Sequence, residues 1–205
     1  MTIAAQHIRA GLKHLRAADP VMKQVIKQVG PFTLKPRRDR FYTLTRGIVG
    51  QQISTTAAET IFQRLVDLVA PQPLSEAALV GHTIETLGAA GISRQKASYL
   101  LDLTQRIHEG HVDLKKIGRL NDQQVIEHLV QVKGIGPWSA KMFLIFSLGR
   151  LDIIAADDLG IRNAVGRHYQ FEETPTAKEV ETLAEPWAPY RTIASWYLWQ
   201  SLDLK

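Results

Sequence analysis

The amino-acid sequence predicts an all-α fold. Three observations carry the prediction. Apolar residues recur at helical spacing along most of the chain. Cap residues and breakers, among them Asp19-Pro20, Ser54, Ser93, Pro137 and Pro175, cut that pattern into helix-length pieces. No two alternating polar–apolar segments are joined by a tight turn, so strand pairs are not expected.

The elements follow in order. Residues 3–16 place Ile3, Ile8, Leu12 and Leu15 on one helical face. Asp19-Pro20 starts a second helix over 21–29, because proline at a first helical position costs no hydrogen bond. Gly30-Pro31 ends it. Residues 32–40 form a basic loop, and the candidate domain boundary falls there. Residues 41–49 read as a helix. Ser54 can cap another through residue 69, and Pro71 and Pro73 break it. Short helices are expected over 74–80 and 84–90. Ser93 then caps 94–110. Asn121 or Asp122 caps a helix through 132, Pro137 opens one running to 148, and 149–155 is a short extended crossing. Helices are expected over 158–168, 177–185 and 190–202.

Composition narrows the class. Of 205 residues, 45% are hydrophobic, enough to bury a core, and the formal net charge of +5 favours a polyanionic partner. No cysteine is present, which excludes disulfides, thiolate zinc sites and cysteine-ligated iron–sulfur clusters. The N-terminal ten residues lack the apolar core of a signal peptide, and no stretch approaches a membrane span. A cytoplasmic protein that does not enter membranes is expected. The seven histidines show no metal-ligand spacing.

The segment Lys133-Gly-Ile-Gly-Pro-Trp-Ser-Ala-Lys141 carries the chemistry. Glycines at i and i+2 allow a tight turn and a close backbone approach. Amides of Gly134 and Gly136 can then face a phosphate where the next helix begins. Lys133 and Lys141 add positive charge. A plain helical hairpin would also tolerate these glycines. Trp138 is either core or a wall on which an extruded base stacks. Asp157 or Asp158 caps the following helix, and a carboxylate so placed can also stabilise positive charge on a sugar or orient a water.

These residues resemble the helix–hairpin–helix DNA glycosylase superfamily. The segments Gly134-Ile-Gly-Pro-Trp-Ser-Ala, Leu148-Gly-Arg-Leu-Asp152 and Asp157-Asp-Leu-Gly-Ile-Arg162 carry that resemblance. Arg46-Gly-Ile-Val-Gly-Gln-Gln-Ile-Ser54, Gly91-Ile-Ser-Arg-Gln-Lys-Ala97, Pro186-Trp-Ala-Pro-Tyr-Arg191 and Trp196-Tyr-Leu-Trp199 are similar to the 3-methyladenine DNA glycosylase II family, in a short form without its N-terminal β domain.

The resemblance implies two helical lobes flanking a cleft. One is 37–150, with the hairpin at 121–148. The other joins 1–36 to 151–205 and carries the catalytic Asp158. Trp138, Trp196, Tyr42, Phe32, Met142 and Leu159 would line the base pocket. Gln51, Gln52 and Ser54 would meet DNA, with Gln52 as the wedge in the gap. Ser93, Arg94 and Lys96 would touch its backbone. Lys133, Gly134, Ile135, Gly136, Ser139 and Lys141 would form the phosphate anchor. No cofactor is implied beyond a structural Na+ or K+ that backbone carbonyls of Val130, Val132 and Ile135 can hold. Trp187 and Trp199 are assigned to the core.

The implied activity is monofunctional. The lysine of lyase-type relatives would fall at Trp138, so no Schiff base is expected. The partner is double-stranded DNA with damaged bases, met as a monomer, and the products are an alkylated purine and an abasic site. A glycosylase for hypoxanthine or ethenoadenine is the alternative enzyme, and a structure-specific DNA-binding module the alternative without catalysis.

Overall fold

The computed structural model describes residues 3–204, and none of these forms a strand. The helices are α1 (Ala5–Ala18), α2 (Pro20–Val29), α3 (Arg40–Gly50), α4 (Thr55–Val69), α5 (Glu76–Leu79), α6 (Ile84–Ala89), α7 (Arg94–His108), α8 (Asp122–Leu129), α9 (Pro137–Phe143), α10 (Leu159–Tyr169), α11 (Ala177–Leu183) and α12 (Arg191–Ser201). Single turns of 3-10 helix lie at Ile117–Arg119 and Glu185–Trp187.

The expected helices appear with shifted ends. Asp19, Ser54, Ser93 and Asn121 cap as expected, each side chain accepting a backbone N–H of the next turn. Asp39, not anticipated, caps α3. The first hairpin helix stops at Leu129, short of 132, because the glycine turn begins there. The second is α-helical only to Phe143 and continues as a π turn over Leu144–Leu148. The 149–155 crossing is irregular.

The chain divides into two compact units. One takes residues up to 36 and from 144 on, and the other takes Arg37–Phe143. The second break thus falls within the helix after the hairpin, between 143 and 144, where an expected boundary stood at 150/151.

In the unit built from both chain ends, α12 is the central helix. Every residue from Thr192 to Leu198 is buried. It packs on α1, α2 and α10 around Leu15, Met22, Ile26, Ile161, Val165 and Trp187. The hydroxyls that α12 carries into this core are hydrogen-bonded, Ser195 to Arg191 O at 2.9 Å and Ser201 to Leu198 O at 2.6 Å. Asp19 is buried here with four donors: the Val21 and Met22 amides at 2.8 and 3.0 Å, the Tyr169 hydroxyl at 2.5 Å and the Trp187 indole at 2.8 Å. One side chain therefore caps α2 and pins two distant aromatic rings. Burial, then the Asp19 hydrogen bond, pushes the Tyr169 hydroxyl far above its ordinary pKa.

In the unit 37–143, α3 packs on α4, α7 and α9. Phe41, Leu44, Ile48, Phe62, Leu65, Leu100, Leu103, Val125, Leu129 and Phe143 are buried there. Three and four residues separate the buried positions along each helix, as the sequence pattern requires.

Candidate active site

Asp158 caps α10. Its Oδ1 accepts the Ile161 amide at 2.9 Å and the Trp199 indole N–H at 2.8 Å. Asp158 is half-buried, whereas Asp157 is exposed. The Trp199 ring lies 5.8 Å from Phe146, tilted by 31°. A Cβ added at Gly160 would stand 3.0 Å from Asp158 Oδ1 and 3.2 Å from Trp199 Cδ1, tighter than ordinary contact, so a side chain there would have to press this pair aside by a few tenths of an ångström.

The segment before Asp158 is anchored to the start of α12. Arg191 donates twice to Asp152, at 2.6 and 2.7 Å. The Thr192 amide donates to Leu151 O at 2.9 Å, and the Thr192 hydroxyl accepts from the Ile153 amide at 3.0 Å. The Arg191 hydrogen bond holds the Asp152 carboxyl below the usual range, against a smaller opposing effect of burial. A bidentate guanidinium–carboxylate pair fixes geometry as well as charge.

The hairpin lies in the other unit. After α8, the Val132 amide donates to Leu129 O at 3.0 Å and the Ile135 amide to Val132 O at 3.1 Å, which closes the turn before α9. Gly134 has φ +79°, and a Cβ there would strike the Tyr99 ring at 2.1 Å. The fold itself therefore demands glycine at 134. Gly136 is different: a Cβ there would meet nothing within 4 Å, and the residue is exposed. Trp138, in the first turn of α9, is 41% exposed. The Lys133 amide donates to Asp102 Oδ2 at 2.9 Å, and Arg106 donates to the same oxygen at 2.8 Å. Burial pushes the Asp102 carboxyl up, but these donors outweigh it and the net shift is downward.

The turn after α3 sits against this hairpin. Gln51 Nε2 donates to Gly134 O at 2.8 Å. Gln52 is exposed and left-handed, at φ +58°. Lys96 Nζ donates to Val49 O at 2.8 Å, closing the end of α3, and burial lowers its pKa.

A family model described as HhH-GPD superfamily base excision DNA repair protein matches residues 45–189, which include both the hairpin and Asp158. The chain belongs to this superfamily. Among its curated relatives in Schizosaccharomyces pombe, DNA-3-methyladenine glycosylase 1 is 33% identical, over 93% of this chain and 86% of its own length. The alkylbase DNA glycosidase-like protein of that yeast is 31% identical, over 92% of this chain and 91% of its own length. The structure of the S. pombe 3-methyladenine DNA glycosylase in complex with abasic DNA superposes with a TM-score of 0.83 at 33% identity, covering 93% of this chain and 95% of that one. A DNA-3-methyladenine glycosidase from Bacillus halodurans superposes at 0.85 with 32% identity, covering 95% of this chain and 89% of that one. The fold is that of the HhH-GPD glycosylases.

Several expected site residues make contacts inside the protein. Trp196, expected as a pocket wall, is 7% exposed and belongs to the core, with its ring edge-on to Phe32 at 4.7 Å. Trp199, assigned to the core, packs against it and also donates its indole N–H to Asp158. Gln51 bonds the hairpin and Lys96 bonds α3, so both side-chain nitrogens are engaged inside the protein. The Ser54 and Ser93 hydroxyl oxygens accept capping amides from Ala57 and Lys96.

Other expected residues keep an outward position. Arg94, Lys133 and Leu159 are exposed, while Ser139, Lys141 and Met142 are half-buried. Ile135 is 5% exposed, so only its backbone is on offer. Tyr42 is half-buried, edge-on to Phe62 and beneath the Arg37 guanidinium, 3.4 Å from its ring centre. Tyr99, Asp102 and Gly160 were not singled out from sequence. The roles of Asp102 and Tyr99 depend on partners 31 and 35 residues away, and that of Gly160 on the space between two neighbours, and neither leaves a local signal. Among the described residues no His, Asp and Glu cluster could hold a metal, and no helix is long and apolar enough to cross a membrane.

Proposed function

We propose that the chain is a monofunctional DNA glycosylase that releases alkylated purines, such as 3-methyladenine and 7-methylguanine, from duplex DNA. The observation that carries this is the Asp158 carboxyl, held at the start of α10 by the Ile161 amide and the Trp199 indole. The relatives named for 3-methyladenine support the substrate class.

The chemistry follows from the substrate. An alkylated purine is already cationic, so it leaves C1′ as a neutral base when the C1′–N bond breaks and takes the bonding pair. Positive charge then builds on the sugar, and a nearby fixed carboxylate stabilises it. Water adds to C1′, and its proton passes to Asp158 or to solvent. The products are free base and an abasic site. Trp138 stands where a Schiff-base lysine would be needed, so the strand is not cut.

The hairpin supplies the grip on DNA. No internal contact requires glycine at 136, so its bare backbone is open to a phosphate. Val130, Val132 and Ile135 would offer carbonyls to a monovalent cation. The Val132–Ile135 turn already curls this backbone, which suits such a ligand set. Gln52 would fill the gap left by the extruded base. The protein would act as a monomer wherever the DNA lies, which is the cytoplasm for a bacterial cell.

The test is base release from methylated duplex DNA by the wild type and by Asp158→Asn. Asparagine still caps a helix, so the variant should fold. Release by the wild type only, with abasic-DNA binding kept within about threefold, is expected if the carboxylate acts in the transition state. An active Asp158→Asn enzyme would overturn the assignment. A wild type active only on hypoxanthine or ethenoadenine would shift the substrate, and binding without any release would leave a DNA-binding module.

A further inference from the structure

The turn after α3 and the hairpin are tied together by groups that all lie within 37–143. Gln51 Nε2 reaches the Gly134 carbonyl across 83 positions of sequence, at 2.8 Å. One side of α7 braces both partners. Lys96 bonds Val49 O at 2.8 Å beside the turn, the Tyr99 ring lies against Gly134, and Asp102 accepts the Lys133 amide at 2.9 Å. Lys96, Tyr99 and Asp102 are spaced by three, so they share a helix face. Gln95 Nε2 donates to the Tyr99 hydroxyl at 2.7 Å and steadies that ring. The residue after Gln51 is exposed and left-handed, a conformation that non-glycine residues rarely hold without support.

We infer that Gln51 is a positioning residue: through Gly134 it locks the Gln52 turn to the hairpin, so that a hairpin seated on the DNA backbone sets where Gln52 enters the duplex. The inference deepens the glycosylase reading above and rests on it. Gln51 acts through Gln52 and the hairpin, with no part in bond cleavage. Breaking its bond to Gly134 should therefore slow base extrusion while leaving the hairpin free to bind.

The test compares wild type, Gln51→Ala, which removes the donor, and Gln51→Glu, which sets an acceptor against the Gly134 carbonyl. Four quantities are measured: single-turnover base release from methylated duplex, affinity for undamaged duplex, melting temperature, and the fluorescence of 2-aminopurine beside an abasic site. Both variants should release a paired lesion about tenfold more slowly or worse. Their affinity for undamaged duplex and their melting temperature should stay near wild type. The deficit should shrink to about threefold or less when the lesion faces an abasic site, because an unpaired base needs little extrusion. The 2-aminopurine signal on binding should fall in both variants.

An equal deficit at paired and unpaired lesions would overturn the inference. So would a rate loss matched by the loss of undamaged-DNA binding, since Gln51 would then only shape the hairpin. If the wild type releases no methylated base, the glycosylase reading fails first. The 2-aminopurine signal then decides Gln51 on its own: unchanged in Gln51→Ala, it overturns the inference, and lost, it supports it.

Discussion

Trp199 donates its indole hydrogen to Asp158 Oδ1 at 2.8 Å, across 41 positions of sequence. The same oxygen caps α10 through the Ile161 amide. Two donors from different elements fix the plane of one carboxyl group. A carboxylate meant to face charge in a transition state works best when it need not reorient. Gly160 keeps the space in which the two side chains meet.

That pair can be broken in two independent ways. Trp199→Phe removes the donor and keeps an aromatic ring. Gly160→Ala keeps both residues but presses a Cβ to 3.0 Å from Asp158 Oδ1 and 3.2 Å from Trp199. Each should lower the rate of base release by about ten- to a hundredfold, with abasic-DNA affinity within about twofold. Single-turnover release and titration with abasic duplex check this. A wild-type rate for Gly160→Ala would show that the orientation is not needed.

Asp19 should be a stability residue without a catalytic part. Asp19→Ala removes a helix cap and strands the Tyr169 hydroxyl and the Trp187 indole in the core. The expected loss is about 3 kcal/mol, from about 1 for the cap and about 1 for each stranded donor. For a chain of this size that lowers the melting temperature by about 6–12 °C. Thermal unfolding measures it, and a loss below about 1 kcal/mol would show that water or relaxation satisfies the two rings.

The Asp152–Arg191 pair should give a pH-dependent contribution. Its carboxyl is held below the ordinary 3.8, chiefly by the Arg191 hydrogen bond. As the pH falls, the unfolded chain therefore binds the proton first. The stabilisation is complete above about pH 4 and is lost as the pH falls through the lower folded value. Asp152→Asn should cost about 1 kcal/mol at pH 7, since both side chains are partly exposed. The gap to wild type should narrow as the pH falls below about 4. Denaturant unfolding at pH 7 and pH 3 checks the sign, and an equal gap at both would contradict it.

The elements of the fold were legible because their causes are local. Asp19, Ser54, Ser93 and Asn121 cap within three residues of themselves, and Pro137 stands at the first position of α9. The hairpin glycines were legible for a similar reason, since a tight turn leaves its mark on adjacent positions. The π turn at Leu144–Leu148 carries no such mark, because leucine, isoleucine and phenylalanine suit either helix type.

By itself the sequence determined an all-α chain, its breaks, the hairpin and an aspartate at the start of α10. These depend on backbone preference and on contacts a few residues apart. Only the tertiary structure decided that Trp199 rather than Trp196 meets Asp158, that Gln51 and Lys96 serve the protein's own backbone, and that Gly134 is closed over by Tyr99 while Gly136 lies open. The physical reason is that packing chooses among chemically equivalent side chains by distance. Distance between elements is set by the whole core, and no window of sequence contains it.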